Sequence, residues 1–195
     1  MSIAPADEYG PFTVADYDAL PDDDQRHELI NGWIVVSSPT PVHNRVAFKL
    51  MNAIEEVLPL GYAVNGDIDI SMADRRQCLR PDAVITTQQW AEGWLRTPAS
   101  AILLAVEVLS PGSKRTDRET KPRIYAAAGV QTYWLVETEP FAVTEFQLAG
   151  RWYQEVQRVT GDEIVVSQPF DLTVDLSAAR AVTVRAANRP RMEEA

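Results

Sequence analysis

The sequence predicts one α/β domain, and three observations carry that prediction. Ala101 to Leu109 has eight apolar residues in nine, the composition of a central strand covered on both faces. Val46, Leu50, Ala53, Ile54 and Val57 recur at helical spacing, which gives a helix one face to lay on such a sheet. The length of 195 residues with 46% apolar composition suffices to bury a real core and fits one domain of ordinary size rather than two. The domain is expected to span 1–187, with 188–195 a polar, frayed tail.

Taken in order, Thr13 and Asp16 stand in capping-box relation for a short helix that Pro21 ends. His27 to Ile30 and Trp33 to Val36 are β-prone runs around Asn31-Gly32, a dipeptide suited to a type I′ hairpin because both residues tolerate positive φ. This puts Glu28 on a strand. Thr40-Pro41 supplies an N-cap and a first-turn proline for the helix that runs to Pro59. Tyr62 to Ile70 and Leu79 to Thr86 read as strands joined by a polar loop. After the apolar strand and Ser110-Pro111-Gly112, Thr116 and Glu119 can form a second capping box for a helix reaching Ala128, with Gly129 as its C-cap. Gln131 to Glu137 is the next strand. Phe141 to Val166 alternates short β-prone runs about the turn at Ala149-Gly150, an added C-terminal antiparallel β region.

The single cysteine, Cys78, excludes an internal disulfide framework and a thiolate zinc site, and is expected as a small buried filler. Met1 to Phe12 lacks the basic and apolar regions of a signal peptide, so the expected compartment is the cytoplasm. A formal charge of −10 opposes non-specific binding to polyanions unless cations gather locally. They do so between Leu109 and Arg123, where five basic residues oppose two acids; Lys114, Arg115 and Arg118 are the candidate nucleic-acid contacts. An ordinary solvated helix face explains them equally well.

Glu107 is the one ionisable residue in the apolar strand, and burying it unpaired would cost several kcal/mol (~3 or more), so it requires an arginine, a proton or a metal ion. Asp82 interrupts a second β-prone run, Pro81 to Ile85, and two neighbouring carboxylates repel unless a cation relieves them. Such a pair is a hard-oxygen site suited to magnesium (Mg2+) or manganese (Mn2+), which take part of their shell from water and substrate phosphate. A lysine beside a metal-bound water can steady hydroxide and neutralise charge on phosphate, the role open to Lys121. Its replacement by alanine is then expected to leave the fold nearly intact. His27 and His43 are read as non-catalytic, His43 capping a helix start or facing solvent; Tyr133 and Trp134 are read as core.

Arg80-Pro81-Asp82-Ala83-Val84, Val106-Glu107-Val108-Leu109-Ser110-Pro111, Asp117 to Lys121, Tyr125, Ala128-Gly129-Val130 and Tyr133-Trp134-Leu135-Val136 resemble, in order and spacing, the Uma-type restriction endonuclease family of the PD-(D/E)XK nuclease superfamily. Glu28 to Gly32, Ser38-Pro39 and His43 are similar to its N-terminal pattern, so the likeness covers roughly Phe12 to Val166. The resemblance implies a restriction-endonuclease-like mixed central sheet flanked by helices. It implies Asp82 and Glu107 as metal ligands, the Val108 carbonyl as a third, Lys121 as catalytic lysine, and Glu28 as a further acid or a plain strand residue. The superfamily's usual lysine position, two residues after the second acid, is Leu109 here. Pro122 next to Lys121 is a departure, since a proline inside a helix kinks it.

The expected function is therefore a Mg2+- or Mn2+-dependent DNA endonuclease. Rival expectations are a catalytically silent module of the same fold that binds nucleic acid or protein, and a carboxylate-pair hydrolase without metal. DNA is the expected partner, no membrane is, and a homodimer is open.

Overall fold

The structure, a computed structural model, describes residues 9–23, 25–92, 96–110, 112 and 115–187. Lys114 and the expected tail at 188–195 lie outside the described residues. Helix α1 (Val14–Asp18) opens on the Thr13/Asp16 capping box, formed as the spacing requires. Strands β1 (Arg26–Ile30) and β2 (Trp33–Ser37) form the expected hairpin, with Asn31 and Gly32 at φ 50° and 74°. Helix α2 (Pro41–Glu55) starts at the Thr40 cap, whose hydroxyl accepts from the His43 backbone N–H at 3.2 Å. There follow β3 (Tyr62–Asn65), β4 (Ile70–Ser71), β5 (Cys78–Leu79), β6 (Ala83–Thr87), α3 (Gln88–Ala91), β7 (Thr97–Pro98) and β8 (Leu104–Val108). A π-helical turn (Thr116–Thr120) leads into α4 (Lys121–Ala127). The chain continues through β9 (Thr132–Thr138), β10 (Phe141–Ala149), β11 (Trp152–Val159), β12 (Glu163–Val166), β13 (Leu172–Asp175) and α5 (Ser177–Ala187).

The central sheet has the order β11-β10-β9-β8-β6-β3; β8 and β9 are parallel and the other neighbours antiparallel, a mixed sheet as implied. A second sheet runs β2-β1-β5-β4-β7, and β12 pairs with β13 alone. Successive strand side chains face opposite ways, so β8 feeds two cores. Leu104, Val106 and Val108 join the core under α2, α5 and the β12-β13 ribbon. Ala105 and Leu109 join the core under α4 and the second sheet, and Glu107 between them shares that face. Cys78, Tyr133 and Trp134 are fully buried, in accord with the sequence. Among the described residues no helix is long and apolar enough to cross a membrane.

Three expectations fail in detail, and two elements are added. Tyr62 to Ile70 is not one strand, because Asp67 takes φ 58°, which breaks the extended chain between β3 and β4. Leu79 to Thr86 is likewise split at Pro81, which has no N–H to give a ladder. The Thr116/Glu119 capping box does not form; Thr116 lies within the turn and accepts from the Lys121 N–H, five residues on. In a regular helix the Pro122 ring would meet the Arg118 carbonyl four residues back, and the widened π turn gives it room. Finally, β13 and α5 carry no strong periodic signal in the sequence. They order because Leu172, Val174, Ala179 and Val182 close the α2 core.

Candidate active site

The carboxylates are aligned by sheet register. Ala83 pairs with Val106 across β6 and β8, and one step back along β6 sets Asp82 opposite Glu107. The Asp82 N–H donates to the Val106 carbonyl at 3.1 Å, and the Val108 N–H donates to Asp82 Oδ2 at 2.7 Å. Since a strand residue turns its N–H and C=O to the same edge, the Val108 carbonyl also faces the Asp82 side. The widened turn before α4 points Lys121 back onto this sheet end. Its Nζ lies 2.9 Å from Glu28 Oε1, 3.0 Å from Glu107 Oε2 and 3.3 Å from Asp117 Oδ1. Asp82, Glu107, Lys121 and Glu28, all singled out in the sequence, are thus brought together, and each is at most 6% exposed. Leu109, where the superfamily's lysine would stand, is buried in the core beneath α4.

Four further residues complete the cluster and were not assigned to it from sequence. Arg26 Nη1 donates to Asp82 Oδ1 at 2.8 Å, and its Nε lies 3.2 Å from Asp67 Oδ1. His43 Nε2 lies 3.0 Å from Asp82 Oδ2 and the residue is 5% exposed, correcting the expectation of a capping or solvent-facing ring. The Tyr125 hydroxyl donates to Glu107 Oε1 at 2.8 Å. Asp117 is buried against Lys121. Two signals were available: Arg26 and Glu28 share strand parity, and Asp117, Lys121 and Tyr125 recur every fourth residue on one helix face. His27 stays apart, 3.7 Å from Asp23. Arg115 pairs with Glu119 at 3.2 Å, and Arg118 pairs with Glu137.

Electrostatics follow from burial and this pairing. Burial alone would raise the Asp82 pKa, but the hydrogen bond and charge of His43, then Arg26 and Lys121, bring it down to about 2. Burial raises the Glu107 carboxyl well above the ordinary glutamate range; Lys121 opposes this, while Asp117, Asp82 and Glu28 add to it. Lys121 is held well above the usual lysine range, because Glu107, Glu28 and Asp117 outweigh its burial. His43 is raised, its bond to Asp82 prevailing over desolvation.

The model of the Uma2 family, described as "Putative restriction endonuclease", matches residues 14–179. The chain belongs to that family. The chain also aligns with the crystal structure of a "putative nuclease belonging to DUF820" from Anabaena variabilis ATCC 29413, with a TM-score of 0.71 and 17% identity over 89% of this chain and 99% of that one. No curated protein matches the sequence.

The chemistry of the donors fits a divalent ion. Glu28, Asp82, Glu107, Val108, Asp117 and Lys121 border a cavity of about 20 Å³, large enough for one water-sized occupant. Four buried carboxylates, Glu28, Asp82, Glu107 and Asp117, share two permanent cations, Arg26 and Lys121. Asp117 Oδ1 is buried without a hydrogen-bond partner, although it lies near the Lys121 ammonium. The oxygens of Asp82 and Glu107 are at present turned to protein donors, and among the described residues no three His, Cys, Asp or Glu groups converge as a ready metal cage. Loading would therefore require Arg26 or Lys121 to give up a contact.

Proposed function

We propose that this chain is a DNA endonuclease dependent on Mg2+ or Mn2+, with Asp82, Glu107, the Val108 carbonyl and Glu28 as ligands and Lys121 as the catalytic cation. One observation carries the reading: Asp82 stands opposite Glu107 in a buried cluster that gathers two further carboxylates, Glu28 and Asp117, around the single ammonium of Lys121. A divalent ion prefers such oxygens. When bound, it would supply a water acidic enough to attack phosphorus.

The chain's own residues do the rest. The Lys121 ammonium steadies the attacking oxygen and neutralises charge growing on the phosphate. Tyr125 fixes one oxygen of Glu107, while the Val108 N–H and His43 fix Asp82, so neither carboxylate must reorganise during reaction. Nicking of supercoiled plasmid and cleavage of single-stranded DNA in millimolar magnesium or manganese test this. Nicking should vanish in chelator and in Asp82→Asn or Glu107→Gln. Nicking that persists in chelator would favour the metal-free hydrolase. The silent binding module is favoured by the protein donors already on all four Asp82 and Glu107 oxygens; plasmid and single-stranded DNA both left intact, with DNA binding retained, would decide for it.

A further inference from the structure

We infer that the exposed face of α2 binds single-stranded DNA and directs one unpaired nucleotide into the groove above Asp82, an inference resting on the nuclease reading of the site below. The groove has a volume of about 530 Å³, walled by Ser37 and Ser38 of β2 and its end, by Asn44, Phe48 and Met51 of α2, and by Gly66. That volume is in the range enclosing molecules of nucleotide size, roughly 300–1,000 Å³. Arg26, Ser37, Pro39, His43 and Asp82 border both this groove and the small cavity between the carboxylates, so one leads into the other.

Depth selects the substrate. Asp82 lines the groove, Glu107 and Lys121 line the small cavity it leads into, and the three are 6%, 2% and 3% exposed. A phosphate held in a stacked duplex cannot descend to them without unpairing, whereas an unpaired strand splays its nucleotides freely.

The surface of α2 has the composition such a strand requires. Phe48 is 53% exposed on the groove wall, and Arg45, one turn earlier, and Lys49 are exposed beside it. Lys49 Nζ lies 6.0 Å from the Phe48 ring centroid. Neither Arg45 nor Lys49 is ion-paired among the described residues, whereas Arg80, Arg96, Arg115 and Arg118 are committed to Asp or Glu. An aromatic ring between cations stacks a base and holds its flanking phosphates, which is how single strands are gripped without sequence readout. The broad basic surface that a duplex demands would be opposed by the −10 charge of the whole chain.

Fluorescence anisotropy tests the inference on the full chain with calcium in place of magnesium. It compares an end-labelled oligothymidylate of about twelve nucleotides with a mixed-sequence duplex of equal length. The single strand should bind at least about tenfold tighter. Phe48→Ala should weaken it about tenfold and Phe48→Trp should retain it. Arg45→Gln with Lys49→Gln should lower the salt slope by about 1.4, and Arg115→Gln with Arg118→Gln should not change it. Equal or tighter duplex binding, or unchanged binding in Phe48→Ala and the Arg45/Lys49 pair, overturns the inference. Calorimetry with manganese separates the two readings. Without manganese binding but with the expected pattern on α2, the nuclease reading fails and the strand site stands. With metal-dependent nicking but indifferent α2 variants, the strand site fails and the nuclease reading stands.

Discussion

Lys121→Ala should melt the metal-free protein far below wild type and recover most of that loss when manganese is added. From sequence alone Lys121 reads as a helix lysine whose loss the fold would tolerate. The structure reverses that expectation. Its ammonium is 3% exposed and lies within 3.3 Å of Glu28, Glu107 and Asp117, so alanine leaves three buried carboxylates without their shared counter-charge. Removing one partner of a buried pair costs about 3–5 kcal/mol. For a domain of this size each kcal/mol moves the melting temperature by about 2–4 °C, so the fall should be about 6–20 °C. Glu107, whose pKa is already raised by burial, can take up a proton and bring the loss toward the lower end. A divalent ion restores more charge than alanine removed, so manganese should raise the melting temperature of the variant by more than that of wild type. Scanning calorimetry in chelator and in manganese measures both quantities. Lys121→Met, which keeps much of the volume, separates lost charge from lost packing. Plasmid nicking by either variant should fall roughly 100-fold even when manganese restores the fold. An unchanged melting temperature in chelator would refute the claim that Lys121 compensates this cluster.

Asp82 gives a pH signature. Its folded pKa of about 2 lies below the ordinary 3.8, so its contribution of about 2 kcal/mol is fully present above pH 4 and lost as pH falls toward 2. Denaturant titrations of metal-free wild type and Asp82→Asn should therefore converge in that acid window and diverge above it; a constant difference would contradict the pairing with His43 and Arg26. Gly66→Ala probes how Asp82 is seated. A Cβ there would lie 2.5 Å from Met51 Sδ and 2.7 Å from the Asp82 carbonyl oxygen. The thioether can turn aside, but the backbone cannot, so stability should drop by about 1–3 kcal/mol and manganese affinity with it. If denaturation and calorimetry both match wild type, the close approach is not a constraint.

What was legible in the sequence is what local chemistry dictates. Asn31-Gly32 supplies the two positive-φ residues of the hairpin, Thr40-Pro41 begins α2, and the apolar run around Glu107 announces a strand buried on both faces that needs a counter-charge. The motif order also pointed to Glu28, Asp82, Glu107 and Lys121, which the fold does bring together. Only the tertiary structure decided which charges answer which. Arg26 reaches Asp82 across 56 residues and His43 across 39, separations over which no periodicity carries information. The helix bearing Lys121 was legible too, but its aim was not: the path around Pro122 depends on a π turn whose geometry no capping pattern encodes. Periodicity fixes which face a residue shares with its neighbours in the chain. Whether that face meets solvent, a cation or a second carboxylate depends on distant strands and helices, and that packing made Lys121 a buried counter-ion and His43 a partner of Asp82.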